Sequence, residues 1–192
     1  MGKNAVQAET KRLVLRTLTP DDAPLLSGFV RKNRIFFAAW EPDREAEFFL
    51  EETQRKTIED DNEAFQQKRI LKMYLFPKGE NRIIGQIGAT NIVYGPFLSC
   101  FLGYKMDEIE QGKGYMSEAL GTFVEVLFRD YGLHRIEANI MPQNERSIRL
   151  VRHLGFELEG GSPKYLAIRG TWEDHEHYVL RNLAMEEAFE GG

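Results

Sequence analysis

The chain has a single cysteine, which excludes a disulfide framework and any four-cysteine zinc site. It has no apolar run approaching the ~20 residues of a membrane span, so no membrane association is expected. It has no excess of positive charge. Lysine plus arginine number 25 against 30 aspartates and glutamates, a net charge of −5, which argues against broad, non-specific nucleic-acid binding. No internal repeat, low-complexity tract or linker interrupts it. The start, MGKNAVQAETKR, lacks the apolar centre of a secretory signal. Met1-Gly2 is followed by Val6 where a myristoylation pattern wants serine or threonine. A cytoplasmic protein is therefore expected. What is present suits a folded domain: 192 residues, 42% hydrophobic and 29% charged. One domain spanning 1–192 is expected, with its core at about 12–183.

Residues 12–18 alternate apolar and polar and read as a first strand. Thr19-Pro20-Asp21-Asp22 supplies an N-cap, a first-turn proline and acidic residues suited to a helix start. Residues 33–43 break that helix, and 44–68 read as one or two amphipathic helices. Residues 70–76, 82–94 and 99–106 read as an antiparallel meander, with Gly85 and Gly88 marking bulges or close packing. A long helical pattern runs from about 115 through Tyr131. A strand follows at 135–141, with Glu137 facing away from Ile136, Ala138 and Ile140. A short helix at 145–154 ends at Gly155, a left-handed cap. Strands return near 165–169 and 173–183. The pattern implies a mixed α/β fold with a central, mostly antiparallel sheet of about 6–7 strands, flanked by helices. The unit from 99 to 141 is expected to be a right-handed parallel crossover.

The segment Gln111-Gly112-Lys113-Gly114-Tyr115-Met116 sits between a strand and a helix. Glycines there let consecutive backbone N–H groups face one anion, and the helix N-terminus adds partial positive charge. A phosphate or pyrophosphate is the natural guest. The spacing fits neither a P-loop nor a dinucleotide fingerprint, because no third glycine stands where either requires it. On the segment alone, a plain loop and cap remain the competing reading.

Residues 111–120, Gln-Gly-Lys-Gly-Tyr-Met-Ser-Glu-Ala-Leu, resemble the acetyl-CoA-binding segment of the GCN5-related N-acetyltransferase (GNAT) superfamily. The chain is similar, more narrowly, to the RimJ/RimL family of protein N-terminal acetyltransferases. That resemblance runs from Arg12 to about Leu180. It includes Asn33-Arg34, Trp40-Glu41-Pro42-x-Arg44, Leu102-Gly103-Tyr104, Pro142-x-Asn144-x-x-Ser147, Leu154-Gly155-Phe156, Tyr165-Leu166 and Gly170-x-Trp172-x-Asp174-His175.

The resemblance implies a GNAT fold with acetyl-CoA as co-substrate and no metal. It implies that the pyrophosphate lies on the amides of Gln111, Gly112, Lys113, Gly114, Tyr115 and Met116. It also implies that the strands at 99–106 and 135–141 splay, so that the cofactor arm pairs with the open edge of Tyr104, Lys105 and Met106 as an added strand would. An amide there would polarise the thioester carbonyl. By the same resemblance Asn144 would hold the cofactor arm; its bland alternative is a helix cap. Ser147 matches the family's proton donor to the leaving thiolate, or is a plain polar helix residue. Asn33, Arg34, Trp40, Glu41, Arg44, Asp174 and His175 fall near the acceptor by the same comparison.

The amine must attack as the free base. An α-amino group, with a pKa of about 7.7–8.0, is partly neutral at pH 7, whereas a lysine amine at about 10.4 is almost wholly charged. A modest base, acting directly or through water, therefore suffices for protein N-termini. Relatives often carry a carboxylate just before the position of Tyr165; here Lys164 stands. Glu137 is the candidate for orienting a water, with Asp174 and His175 as alternatives. The catalytic candidates are thus Ser147, Glu137 and Tyr104. The expected function is direct acetyl transfer to a protein N-terminal amine, with a ribosomal protein as partner and a monomer or homodimer as the assembly. The alternatives are acetylation of a small-molecule amine, or a non-catalytic CoA-binding or ribosome-assembly factor.

Overall fold

The computed structural model describes residues 7–190. The Met1-Gly2 and Val6 positions considered above for lipidation, like residues 191–192, lie outside the described residues. An eight-stranded sheet runs in the order β1-β2-β3-β4-β5-β6-β8-β7. Its strands are β1 (Gln7–Glu9), β2 (Leu13–Arg16), β3 (Leu71–Pro77), β4 (Gly85–Val93), β5 (Ser99–Met106), β6 (Arg135–Ile140), β7 (Glu157–Ile168) and β8 (Thr171–Arg181). All neighbours are antiparallel except β5 and β6, which are parallel, as the expected crossover requires.

The strand count exceeds the expected 6–7 because of β1. It is only three residues, with Ala8 half-buried between the exposed Gln7 and Glu9, and β2 is its one partner, so the alternation is too short to mark it. β7 is also longer than the expected 165–169. Gly160-Gly161-Ser162-Pro163-Lys164 reads as a break, yet the pairing with β8 continues across it through two register shifts. Thr19–Asp22 does open a helix, by way of a single 3₁₀ turn, with the Asp22 carboxylate accepting the Thr19 N–H at 2.9 Å.

The helices are α1 (Ala23–Lys32), α2 (Arg34–Phe37), α3 (Glu51–Gln66), α4 (Tyr115–Arg129), α5 (Glu145–His153) and α6 (Leu183–Glu190). The period-2 alternation of the strands separates the two sides of the sheet. On one side Leu71, Met73, Leu75, Ile87, Ala89, Cys100, Leu102, Ile136, Ala138 and Tyr178 pack with Met116, Ala119, Leu120, Phe123 and Leu127 of α4. On the other, Tyr74 and Phe76 pack with Leu26, Phe29, Val30, Phe37, Phe49 and Ile58 from the α1–α3 region. That second layer covers the β2–β3 end. The same side of β5, β6 and β8 carries Phe101, Gly103, Lys105, Glu137, Asn139, His175 and His177 instead. No helix among the described residues is long and apolar enough to cross a membrane.

Candidate active site

Parallel pairing of β5 with β6 covers Ser99–Phe101 against Arg135–Glu137 and then stops. Beyond Phe101 the two strands part, while β5 remains paired to β4 as far as Met106. The β6-facing backbone groups of residues 102–106 thus open onto a cleft of about 910 Å³. Its wall combines β5 residues Leu102–Met106 with Gln111, Gly112, Gly114 and the first residues of α4, Ala138–Met141, Asn144, Ser147, Trp40, Glu41, Arg44 and His175. Because the gap lies within the sheet, the cleft meets both of its sides.

The glycine loop is built for its conformation. Gly112 and Gly114 take φ of +76° and +78°, which L side chains adopt at a cost. Gly114 is the residue before α4, so the free N–H groups of the first turn face the cleft. A Cβ at Gly112 or Gly114 would lie 3.8 Å from the Arg146 guanidinium or 3.4 Å from that of Arg12. Two glycines, a helix N-terminus and the Arg146 cation form an anion cradle, and the open edge of residues 102–106 can take an extended amide-bearing arm. These residues fit acetyl-CoA.

Arg12 fastens this loop. Its Nε bonds Glu118 at 2.7 Å, its Nη1 donates to the Lys113 carbonyl at 2.9 Å, and its guanidinium lies 4.4 Å from the centre of the Tyr115 ring. Glu118 also accepts from the Arg12 N–H at 2.8 Å and from the Thr10 hydroxyl at 2.5 Å. Burial pushes the Glu118 carboxyl up, but these hydrogen bonds outweigh it and hold it below the usual range. The Lys113 ammonium turns to Glu110 at 2.7 Å, and Lys113 is not among the residues lining the cleft.

Tyr104 and Ser147 meet across the cleft, with their hydroxyls 2.5 Å apart. Burial pushes the Tyr104 phenol up to about 12, against a smaller opposing effect of the Ser147 hydrogen bond. The phenol is therefore protonated at neutral pH, the form needed to supply a proton. Asn144 caps α5, its Oδ1 accepting the Ser147 N–H at 3.2 Å, and it lines the cleft as well.

The far side of the gap has a different character. Lys105 pairs with Glu41 at 2.9 Å and sits 5.0 Å from the Phe37 ring centre. Burial lowers its pKa, and Glu41 opposes the shift. Trp40 and Arg44 stand beside them.

Other sequence candidates lie elsewhere. Asn33 is buried outside the cleft lining; its amide donates to the Phe29 carbonyl at 3.0 Å and its oxygen accepts the Glu108 N–H at 3.0 Å. Arg34 stacks over Phe49 at 4.7 Å. Glu137 does not line the cleft. It is tied to Arg135 at 2.9 Å and stands 3.4 Å from His177. Asp174 is exposed and accepts the Lys164 N–H at 2.8 Å, which steadies Lys164 in its left-handed backbone conformation.

Arg12, Glu118 and Arg146 were missed as site residues. Glu118 in the first turn of a helix was the one available signal. Arg12 and Arg146 reach the loop from distant parts of the chain.

The Acetyltransferase (GNAT) domain family model matches residues 12–157. The chain belongs to the GNAT acetyltransferase family and is an acetyl-CoA-dependent N-acetyltransferase. It is 39% identical over 170 residues to the ribosomal protein uS5-alanine N-acetyltransferase of Escherichia coli, covering 88% of each chain. It is 34% identical to the probable N-acetyltransferase YjcK of Bacillus subtilis, over 90% of this chain and 95% of that one. Among solved structures, the ribosomal-protein-S5-alanine acetyltransferase of Vibrio fischeri matches with a TM-score of 0.88 and 33% identity, over 92% and 97% of the two chains.

Proposed function

We propose that this enzyme transfers acetyl from acetyl-CoA to the N-terminal α-amine of a protein, with a ribosomal protein as acceptor, in the cytoplasm. The observation that carries the reading is the β5–β6 gap, which joins an anion cradle and a proton donor on one side of the sheet to an open acceptor face on the other. Similarity along most of the chain to uS5-alanine N-acetyltransferases supports the choice of acceptor.

Acetyl-CoA, when bound, supplies the activated acyl group. Gly112, Gly114 and the first turn of α4 offer N–H groups to its pyrophosphate, with Arg146 adding charge. The edge of Tyr104–Met106 aligns the arm, and its amides polarise the carbonyl where negative charge develops. Tyr104, in contact with Ser147, delivers a proton to the departing sulfur. The acceptor approaches from the side of Trp40, Glu41, Arg44 and Lys105. Attack is direct, with no covalent enzyme intermediate.

The test measures thiol release with acetyl-CoA and three acceptors: an Ala-starting peptide, the same peptide blocked at its α-amine but carrying an internal lysine, and free small amines. Release with the first alone is expected. Faster turnover of free amines, or none with any acceptor, refutes the reading.

A further inference from the structure

We infer that His175 is the catalytic base, its Nε2 taking the proton from the acceptor amine, an assignment that rests on the acyl-transfer reading above.

The position follows from strand register. On β6 and β8 the side that packs on α4 and α5 carries Ile136, Ala138, Ile140 and Tyr178. His175 points to the opposite side, as does Lys105, and it lines the cleft. Tyr104 and Ser147 belong to the α4–α5 side. Proton donor and proton acceptor therefore flank the β5–β6 gap from opposite sides, so the amine and the sulfur can each be served by a separate group.

The ring's tautomer is also fixed. His175 Nδ1 lies 3.1 Å from the Glu173 carbonyl oxygen. A carbonyl only accepts, so in the neutral ring Nδ1 carries the hydrogen and Nε2 the lone pair. Nε2 has no hydrogen-bond partner among the described residues, yet no buried side-chain nitrogen or oxygen there lacks one. Nε2 is therefore open to solvent, on a ring that lines the cleft. The rest of the ring is held: His175 is 5% exposed and lies against Tyr165, with centroids 5.3 Å apart.

The rival bases are otherwise engaged. Glu137 is bound to Arg135, Asp174 to the Lys164 backbone, and Lys105 to Glu41. The ionisable groups around His175 are Tyr165 from β7, and Asp174 and His177 from its own strand. Glu137 stands one step further out, beside His177. In the step itself, the acceptor's α-ammonium gives a proton to Nε2, directly or through one water, and the electron pair so freed forms the C–N bond; the further N–H proton leaves to solvent as the adduct collapses. The C–S bond breaks, the sulfur takes its proton from Tyr104, His175 gives its own to solvent, and Tyr104 regains one from solvent.

The first readout needs no substitution and no turnover: ring ¹⁵N shifts of histidine-labelled protein. The neutral His175 ring is expected as the Nδ1–H tautomer, and an Nε2–H tautomer overturns the assignment. The second uses His175→Gln. At pH 7 its kcat/KM on an Ala-starting peptide is expected to fall roughly 10²-fold or more, with CoA affinity by calorimetry unchanged. A peptide starting with trifluoroalanine, whose amine is already neutral, should be acetylated by the variant nearly as fast as by wild type. Equal loss on both peptides, or loss on neither, overturns the assignment while leaving the acyl-transfer reading intact. A wild-type enzyme inactive on every amine takes both down.

Discussion

At the scale of single residues, the site depends on backbone shape more than on charged side chains. Gly114 illustrates this. Its φ of +78° costs an L residue roughly 1–2 kcal/mol, and a Cβ there would stand 3.4 Å from the Arg12 guanidinium that braces the loop. Gly114→Ala is expected to lower stability by about that amount and to raise the Kd for CoA about tenfold, measured by urea unfolding and calorimetry. An unchanged Kd would show that the loop tolerates a side chain and is not the anion cradle. This part of the site was legible in the sequence, because glycine spacing before a helix is a local signal. Arg146 was not, since an arginine on a polar helix turn looks like any solvated one. Nor was the ion pair of Lys105 with Glu41, whose partners are 64 positions apart. Cys100, the single cysteine, is buried on β5 at 2% exposure.

At the scale of elements, α4 is held at its start by a contact that local sequence does not advertise. Glu118 gathers the Thr10 hydroxyl, the Arg12 N–H and the Arg12 guanidinium, and so ties the N-terminal strands to the glycine loop. Glu118→Gln keeps the shape and removes the charge; a cost of about 1–3 kcal/mol follows from weakened charge-assisted bonds. The sign in pH also follows. Its carboxyl is held below the usual range, so its contribution is present above about pH 4.3 and lost as pH falls through the depressed value. The variant's stability should therefore drop less than wild type between pH 5 and 3 in urea titrations; parallel curves would mean that Glu118 is not linked to folding. The sequence shows α4 clearly, by helical periodicity, and β3, β4 and β5 by alternation. It hides elements defined by their partners. β1 exists through pairing with β2. α6 was not anticipated either: it docks through Glu186, which meets His134 at 2.7 Å and Arg181 at 3.2 Å, contacts that leave no pattern along the chain. β7 conceals its length because its turn-like residues are absorbed as bulges against β8.

At the scale of the whole molecule, the sheet buries acidic hydrogens on its α4 side, and this sets an alkaline limit to stability. Burial pushes the Cys100 thiol up to about 12, and the Tyr104 phenol to about 12 against the Ser147 hydrogen bond. Tyr131 rises to about 12, first from burial and then from the nearby Tyr94 and Asp130. Unfolded, these groups ionise near 8.5 for cysteine and about 10 for tyrosine. Between those values and about 12 the native state binds more protons than the unfolded chain, so stability falls as pH rises. Below pH 8.5 the contribution is complete. A fully linked group gives a slope of about 1.4 kcal/mol per pH unit over its own window. Urea unfolding at intervals from pH 8 to 11.5 should therefore show stability declining from about pH 9 and steepening above 10. Tyr104→Phe removes one such group while keeping its ring against the core. Its curve is expected to lie lower or level at pH 8 and to flatten relative to wild type above pH 10, by up to the slope of one group. A variant that tracks wild type in parallel through that range would show that the phenol is not held protonated by the fold. It would also remove the reason for treating Tyr104 as a proton donor that is fully charged with its proton at neutral pH.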